Sequence, residues 1–185
     1  MNFLIACSCQ RLGCILAYQI FFLCSSDYNL YRKDRKTRGG GICTFIKAVN
    51  SSFSIDLPVE YDDVEIICTG VVCKNGSYIF VNVYRAPGVS MECKEYCNKL
   101  VNCLDYISTL YRNSRLNNPV ITIVGDFNVP DVHWESGLAP DDGVQLKLSE
   151  YFFDNGFIQF NNNSTRNSNI IDLFFFVTIL CLSHI

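Results

Sequence analysis

The chain has 185 residues, a net charge of −3, 49% hydrophobic residues and 14% aromatic residues. That amounts to one domain with a sizeable apolar core, and it excludes a disordered chain. The acidic balance also argues against a module that binds nucleic acid through overall charge, but it suits an enzyme whose site is acidic in order to hold metal.

In chain order, Met1–Cys24 is apolar and Cys-rich, interrupted by Gln10 and Arg11. It lacks a basic leader ahead of the apolar run, and Leu12–Cys24 is too short for a membrane span. The run Arg32–Arg38 holds five basic residues in seven. On a loop it either tracks a nucleic-acid backbone or is simply solvated. Gly39–Gly41 then leads into a strand at Ile42–Lys47. Without a following Gly-Lys-Ser/Thr it is no phosphate cradle, and close backbone packing explains it better.

Val64–Cys73 and Ser77–Tyr84 are β-branched runs joined at Asn75-Gly76, which predicts an antiparallel hairpin ended by Pro87-Gly88. Tyr96, Cys97, Leu100, Val101, Leu104, Ile107, Ser108 and Tyr111 recur at helical spacing and predict an amphipathic helix over Cys93–Tyr111. Asn117-Asn118-Pro119 breaks it, and Val120–Val124 is a buried strand. A second helix, Val144–Asp154, stops at Asn155-Gly156. Ile170–Val177 is the last strand. Antiparallel pairs mixed with crossover helices predict an α/β (α+β) fold, a layered β-sandwich flanked by helices. The apolar run Leu173–Leu182 is only about half a span, which makes a membrane protein the lesser reading.

The 11 cysteines are scattered and include no Cys-x-x-Cys pair, so zinc is a poor reading. Most read as small buried hydrophobes of a reduced, intracellular protein. Asn-x-Ser/Thr sequons at Asn50, Asn75, Asn162 and Asn163 matter only in a secreted chain.

The chemistry concentrates at Pro119–Pro130, PVITIVGDFNVP. Side chains alternate along a strand, so Asp126 and Asn128 can point one way while Phe127 enters the core. This places a carboxylate and an amide at the carboxyl end of a central strand, where α/β sheets put ligand sites. An Asp there can hold a divalent cation or take a proton from water, and an Asn can donate to phosphate. Gly-Asp-Phe-Asn is equally ordinary turn chemistry.

Other segments accompany this one in a fixed order: YNLYRKDRKTRGGGICTFI (Tyr28–Ile46), VNVYRAP (Val81–Pro87), DVHWE (Asp131–Glu135) and TRNSNIIDL (Thr165–Leu173). Together they resemble the endonuclease/exonuclease/phosphatase superfamily, and within it the apurinic-endonuclease-like domain of non-LTR (LINE-type) retrotransposons. The resemblance spans about residues 27–177, with 1–26 and 178–185 as non-matching apolar ends.

The resemblance implies a DNase I-like sandwich and Mg²⁺- or Mn²⁺-assisted water attack on a DNA phosphate by a monomer, with a nuclear compartment to match that substrate. It casts Asp126 as water activator or metal ligand and Asn128 as phosphate contact, with both as candidate metal ligands. Tyr84 becomes a phenol at the phosphate, the alternative being a buried strand-end aromatic. Asp172 would orient a catalytic histidine. Arg85 becomes a phosphate contact or a plain surface arginine, while Arg35, Arg38, Thr165 and Arg166 become DNA contacts. Glu65, His133 and Trp134 read as structural. The family's catalytic Asn and metal-binding Glu belong where Met1–Ser26 stands without matching. Its closing Ser-Asp-His block is met only by Leu182-Ser183-His184-Ile185, without the Asp. The expectation is therefore an incomplete copy, truncated at both ends, with impaired activity. A phosphatase on the same fold is the alternative chemistry, and a non-catalytic retroelement remnant is the alternative to an enzyme.

Overall fold

A computed structural model describes residues 6–8, 27–34, 41–112, 119–161, 170 and 172–178. Among these residues nine strands, two α-helices and a short 3-10 turn follow in order: β1 Ala6–Ser8, β2 Tyr28–Asp34, β3 Gly41–Lys47, β4 Ser51–Ile55, the turn Val59–Tyr61, β5 Ile66–Cys73, β6 Gly76–Tyr84, α1 Met91–Arg112, β7 Val120–Asp126, α2 Gln145–Asp154, β8 Ile158–Gln159 and β9 Asp172–Thr178.

The strands form two sheets, a six-stranded one in the order β4-β5-β6-β7-β9-β8 and a three-stranded one in the order β1-β3-β2. The expected hairpin is β5–β6, paired antiparallel from Ile66↔Val83 to Cys73↔Gly76. Its two-residue loop is Lys74-Asn75, with Gly76 at φ +143° opening β6. The single parallel pair in the large sheet, β6–β7, carries α1 as its crossover, as a parallel connection requires.

Alternation explains the layers. On one face of the large sheet Ile79, Val81 and Val83, then Ile121 and Ile123, then Leu173 and Phe175, meet Cys97, Leu100, Cys103, Leu104 and Ile107 of α1 and Leu148 and Phe152 of α2 in one buried core. Phe127 sits edge-on to Phe152 (5.5 Å) and Phe175 (6.1 Å) in that core. Burying one such ring stabilises the fold by about 1.5–3 kcal/mol. The other face carries Asn82 and Tyr84 toward the small sheet. Asn82, fully buried, donates to the Cys43 carbonyl (2.9 Å) and to Thr44 Oγ1 (3.2 Å), fixing β3 over β6.

One expectation needs correction. The segment Tyr28–Asp34 is strand β2, so Arg32 and Lys33 do not lie on a loop. Their side chains have local partners: Arg32 Nη2 bonds both Asp34 oxygens at 2.6 Å, and Lys33 Nζ donates to the Val64 carbonyl (2.9 Å). At the N-terminal end, Ala6–Ser8 pairs with Ile42–Thr44 along the edge of β3. The rest of Met1–Cys24 lies outside the described residues, as do Arg35, Arg38, Thr165, Arg166 and His184. Among the described residues no helix is long and apolar enough to cross a membrane. Cys43, Cys68, Cys97 and Cys103 are buried free thiols, as their reading as small hydrophobes expects.

Candidate active site

β7 ends in Gly125-Asp126, and its neighbours end beside it. Tyr84 of β6 is in register with Asp126, and Asp126 is in register with Asp172 of β9. In-register neighbours project from the same face, with Cβ atoms about 5 Å apart. The sequence-predicted trio thus forms one row across three adjacent strand ends, on the sheet face opposite the helices. Two carboxylates directly opposite one another repel, so the pair needs a cation or hydrogen-bond donors to offset it.

Gly125 makes this edge possible. It sits at φ +147°, and a Cβ there would lie 1.8 Å from the Val83 carbonyl oxygen. Only glycine allows β7 to press this closely on β6 one residue before the carboxylate.

The Asp126-Phe127-Asn128 loop is at once a turn and a site. Asp126 Oδ1 accepts the Asn128 amide (3.1 Å), the side-chain-to-backbone turn typical of Asp. Asn128 takes φ +49°, a conformation that Asn tolerates better than most residues. Phe127, fully buried, anchors the loop from below, while Asp126 (5% exposed) and Asn128 (6%) lie just under the surface.

Arg85 does not sit on the surface. It is 2% exposed, and its guanidinium faces main-chain oxygens. Nε donates to the Phe127 carbonyl (2.6 Å), Nη2 to the Asn128 carbonyl (2.6 Å) and Nη1 to the Gly88 carbonyl (3.2 Å). In return Asn128 Nδ2 donates to the Arg85 carbonyl (2.8 Å), and the Arg85 amide donates to the Asp126 carbonyl (2.9 Å). Both sequence readings of Arg85, phosphate contact and surface arginine, give way to a buried clamp on the loop. A planar fork of donors matches several converging carbonyls, which is why Arg suits this place. Burial draws its pKa below the usual value, opposed by Cys97, Cys93, Asp142 and Asp126. An Arg nevertheless stays protonated. The expected phosphate contact of Asn128 is likewise narrowed: one N–H of Nδ2 is committed to the Arg85 carbonyl, so the second N–H is what it can offer a phosphate, and Oδ1 can offer only an acceptor.

Tyr84 is 4% exposed and packs with Ile42, Ile67 and Tyr31. That is the placement expected of a buried strand-end aromatic, even though its register puts it in the row. Its carbonyl accepts Tyr96 Oη (3.2 Å), and the Glu65 amide donates to the same Tyr96 oxygen (2.9 Å), so α1 pins the end of β6. Asp172 is exposed, and its carbonyl accepts Asn161 Nδ2 (2.7 Å). Trp134 stacks edge-on against Phe175 (5.1 Å), and the exposed His133 shapes a turn through its amide bond to Leu138, so both are structural as read.

Sequence reasoning missed a brace behind the loop. Gln145 Oε1 accepts the Asp131 amide (2.9 Å), while its Nε2 reaches Asp131 Oδ2 (3.1 Å) and Asp142 Oδ2 (2.9 Å). Asp142 Oδ1 in turn accepts the amides of Val144 (2.8 Å) and Gln145 (2.7 Å). Burial opposes the charged form of Asp142, but these hydrogen bonds prevail and hold its carboxyl below the usual range. An Asp ahead of a helical run was the available signal; the reach of Gln145 to Asp131 had none.

The donor chemistry fits a hard cation. Asp126 and Asp172 are carboxylates at paired positions, the oxygen donors that Mg²⁺ and Mn²⁺ prefer. Among the described residues no three His, Cys, Asp or Glu side chains come together. A metal here would therefore draw much of its shell from water and substrate oxygens, an ordinary arrangement for Mg²⁺.

This architecture, a two-layer sandwich flanked by helices with its polar row at the strand ends, is the DNase I-like fold. Among solved structures the chain is similar to the endonuclease domain of TRAS1, a telomere-specific non-LTR retrotransposon, with a TM-score of 0.55 and 15% identity over 80% of this chain and 64% of that one. It is also similar to the Neisseria 3′ phosphatase NExo bound to product DNA hairpin (TM-score 0.53, 14% identity, 89% of this chain and 70% of that one). A third similar structure is the human Nocturnin catalytic domain with bound sulfate anion (TM-score 0.57, 8% identity, 92% and 67%). At these identities the likeness is one of fold, and the chain spans about two thirds of each of these structures. No protein-family model and no curated protein sequence matches it.

Proposed function

We propose that this chain is a divalent-metal-dependent phosphodiester hydrolase of the retrotransposon endonuclease kind, acting on DNA as an intracellular, nuclear monomer, and that it turns over slowly. The observation that carries the reading is the row Tyr84–Asp126–Asp172 at three adjacent strand ends, with Asn128 held beside it. The similar solved structures named for a retrotransposon endonuclease and for a 3′ phosphatase bound to DNA support the same chemistry.

Asp126 would hold the cation or take the proton of the attacking water. Asp172, in register with Asp126, would share that cation. The second N–H of Asn128 Nδ2 donates to a phosphate oxygen of the substrate, and Tyr84 supports the row from beneath. Mg²⁺ or Mn²⁺, when bound, supplies Lewis-acid polarisation of the phosphate and a more acidic water. Slow turnover follows from the donor set among the described residues, because two carboxylates are only part of the machinery such a reaction needs, and a cooperating unit short of members loses orders of magnitude in rate.

The test is conversion of supercoiled plasmid to open circles by the purified chain in Mg²⁺, with EDTA as the control, alongside release of phosphate from a 3′-phosphorylated oligonucleotide. Slow, EDTA-sensitive nicking is expected. DNA binding with no cleavage in Mg²⁺ or Mn²⁺ would identify a non-catalytic remnant instead.

A further inference from the structure

A second feature lies one strand away from the row. A cavity of about 640 Å³ opens between β2 and the start of β5, walled by Tyr31, Lys33, Asp56, Tyr61, Asp62 and Ile67 among others. That volume is within the range of small-ligand sites. The cavity lies beside the proposed active site, since Tyr31 and Ile67 of its wall also pack against Tyr84. Ile67 pairs with Asn82, two residues before Tyr84 on β6. From β5 to β7 is two strand spacings, about 10 Å.

The chemistry of the walls is mixed in a particular way. Lys33 Nζ spends one of its three N–H bonds on the Val64 carbonyl, and among the described residues it makes no ion pair. Arg32 beside it is tied to Asp34. Two tyrosine rings, Tyr31 and Tyr61, flank the space, and Asp56 and Asp62 add carboxylates. A site for free phosphate would not carry two carboxylates. A nucleotide does want this combination: a cation for the phosphate, an aromatic ring for the base and acceptors for the base N–H groups.

We propose that this cavity binds one nucleotide of the DNA strand flanking the scissile phosphate, with Lys33 on its phosphate, Tyr61 against its base, and Asp56 and Asp62 accepting base N–H bonds. The inference rests on the proposed hydrolase reading, because it gives that site its next substrate contact. It also explains how an acidic chain can hold DNA: a few placed groups do it, not net charge. The bound strand would run across the ends of β5, β6 and β7, putting the next phosphate at Asp126.

The experiment is fluorescence anisotropy of the full chain with labelled single-stranded and duplex DNA, in EDTA so that nothing is cleaved, over a salt series. Tyr61→Ala should weaken binding roughly tenfold, as loss of one stacked base does, and Tyr61→Phe should restore it. Lys33→Ala should weaken binding and lower the slope of log K against log salt by about one, while Lys33→Arg keeps both. Lys74→Ala, at the far hairpin tip, should change nothing. Melting curves of each variant separate loss of contact from loss of fold. Unchanged affinity in folded Tyr61→Ala and Lys33→Ala, or no DNA binding by the parent chain at low salt, overturns the proposal. The hydrolase reading is judged separately by metal-dependent nicking, which Asp126→Ala should abolish.

Discussion

Arg85 and Asn128 exchange hydrogen bonds: Arg85 Nη2 donates to the Asn128 carbonyl at 2.6 Å, and Asn128 Nδ2 donates back to the Arg85 carbonyl at 2.8 Å. The residue after the row's tyrosine and the last residue of Gly-Asp-Phe-Asn therefore hold each other. The strand ends of β6 and β7 become one rigid edge, and Asp126 sits at its centre.

Arg85→Ala would leave the carbonyls of Phe127, Asn128 and Gly88 without their donor. Each buried group so orphaned costs about 1–3 kcal/mol, so the variant should lose about 3 kcal/mol or more in urea unfolding. Arg85→Lys should fall between, because an ammonium cannot span the fork. A loss under about 1 kcal/mol for Arg85→Ala would remove the clamp from the account.

Gly125→Ala should be among the most damaging small changes in the chain. The new methyl meets the Val83 carbonyl carbon and oxygen, both main-chain atoms that cannot swing aside, at a backbone angle only glycine favours. Denaturant midpoints should report a loss of at least about 2 kcal/mol. Gly76→Ala, strained in φ but with open space around it, is the comparison and should lose less.

At position 128 the amide and the backbone angle separate. Asn128→Gly keeps φ +49° at no steric cost but loses the bond to Arg85, whereas Asn128→Ala loses both. Ala should therefore be less stable than Gly by about 1 kcal/mol in urea unfolding. Equal stabilities would mean the left-handed turn relaxes on substitution.

Burial pushes the thiols of Cys97 and Cys103 up to about 11 and about 12, from an ordinary 9.0. Each folded-state pKa lies above its unfolded value, so the unfolded chain gives up protons first as pH rises. Stability should thus hold below about pH 9, then fall as pH climbs through 11 to 12. Urea midpoints against pH check this. Iodoacetamide at pH 8 should modify the part-exposed Cys73 and Cys93 well before Cys97 and Cys103.

Much of this was legible because local rules agreed with the tertiary structure. The helix at Met91–Arg112 and the β5–β6 hairpin follow from spacing and turn chemistry, and Gly125-Asp126 marks the end of β7 because glycine and carboxylate are both needed there. The convergence of Tyr84, Asp126 and Asp172 came from block order, which a sheet register then realises. Strands β2 and β4 were not read as strands, since Tyr28–Asp34 looks like a charged loop and Ser51–Ile55 is polar; pairing with β3 and β5 makes them strands. The buried role of Arg85 was illegible for a related reason. The carbonyls that satisfy it lie 42 and 43 residues away, and only folding gathers them.

The central claim is that the Asp126 row hydrolyses phosphodiesters. Its most direct measurement is the rate of plasmid nicking in Mg²⁺ for the chain, Asp126→Ala and Asp172→Asn, prepared side by side and with EDTA controls. The account predicts slow nicking by the parent that EDTA abolishes, no nicking by Asp126→Ala, and a rate at least about tenfold lower for Asp172→Asn, at unchanged melting temperature. Nicking that survives Asp126→Ala undiminished would contradict it, because the cleaving group would then lie elsewhere.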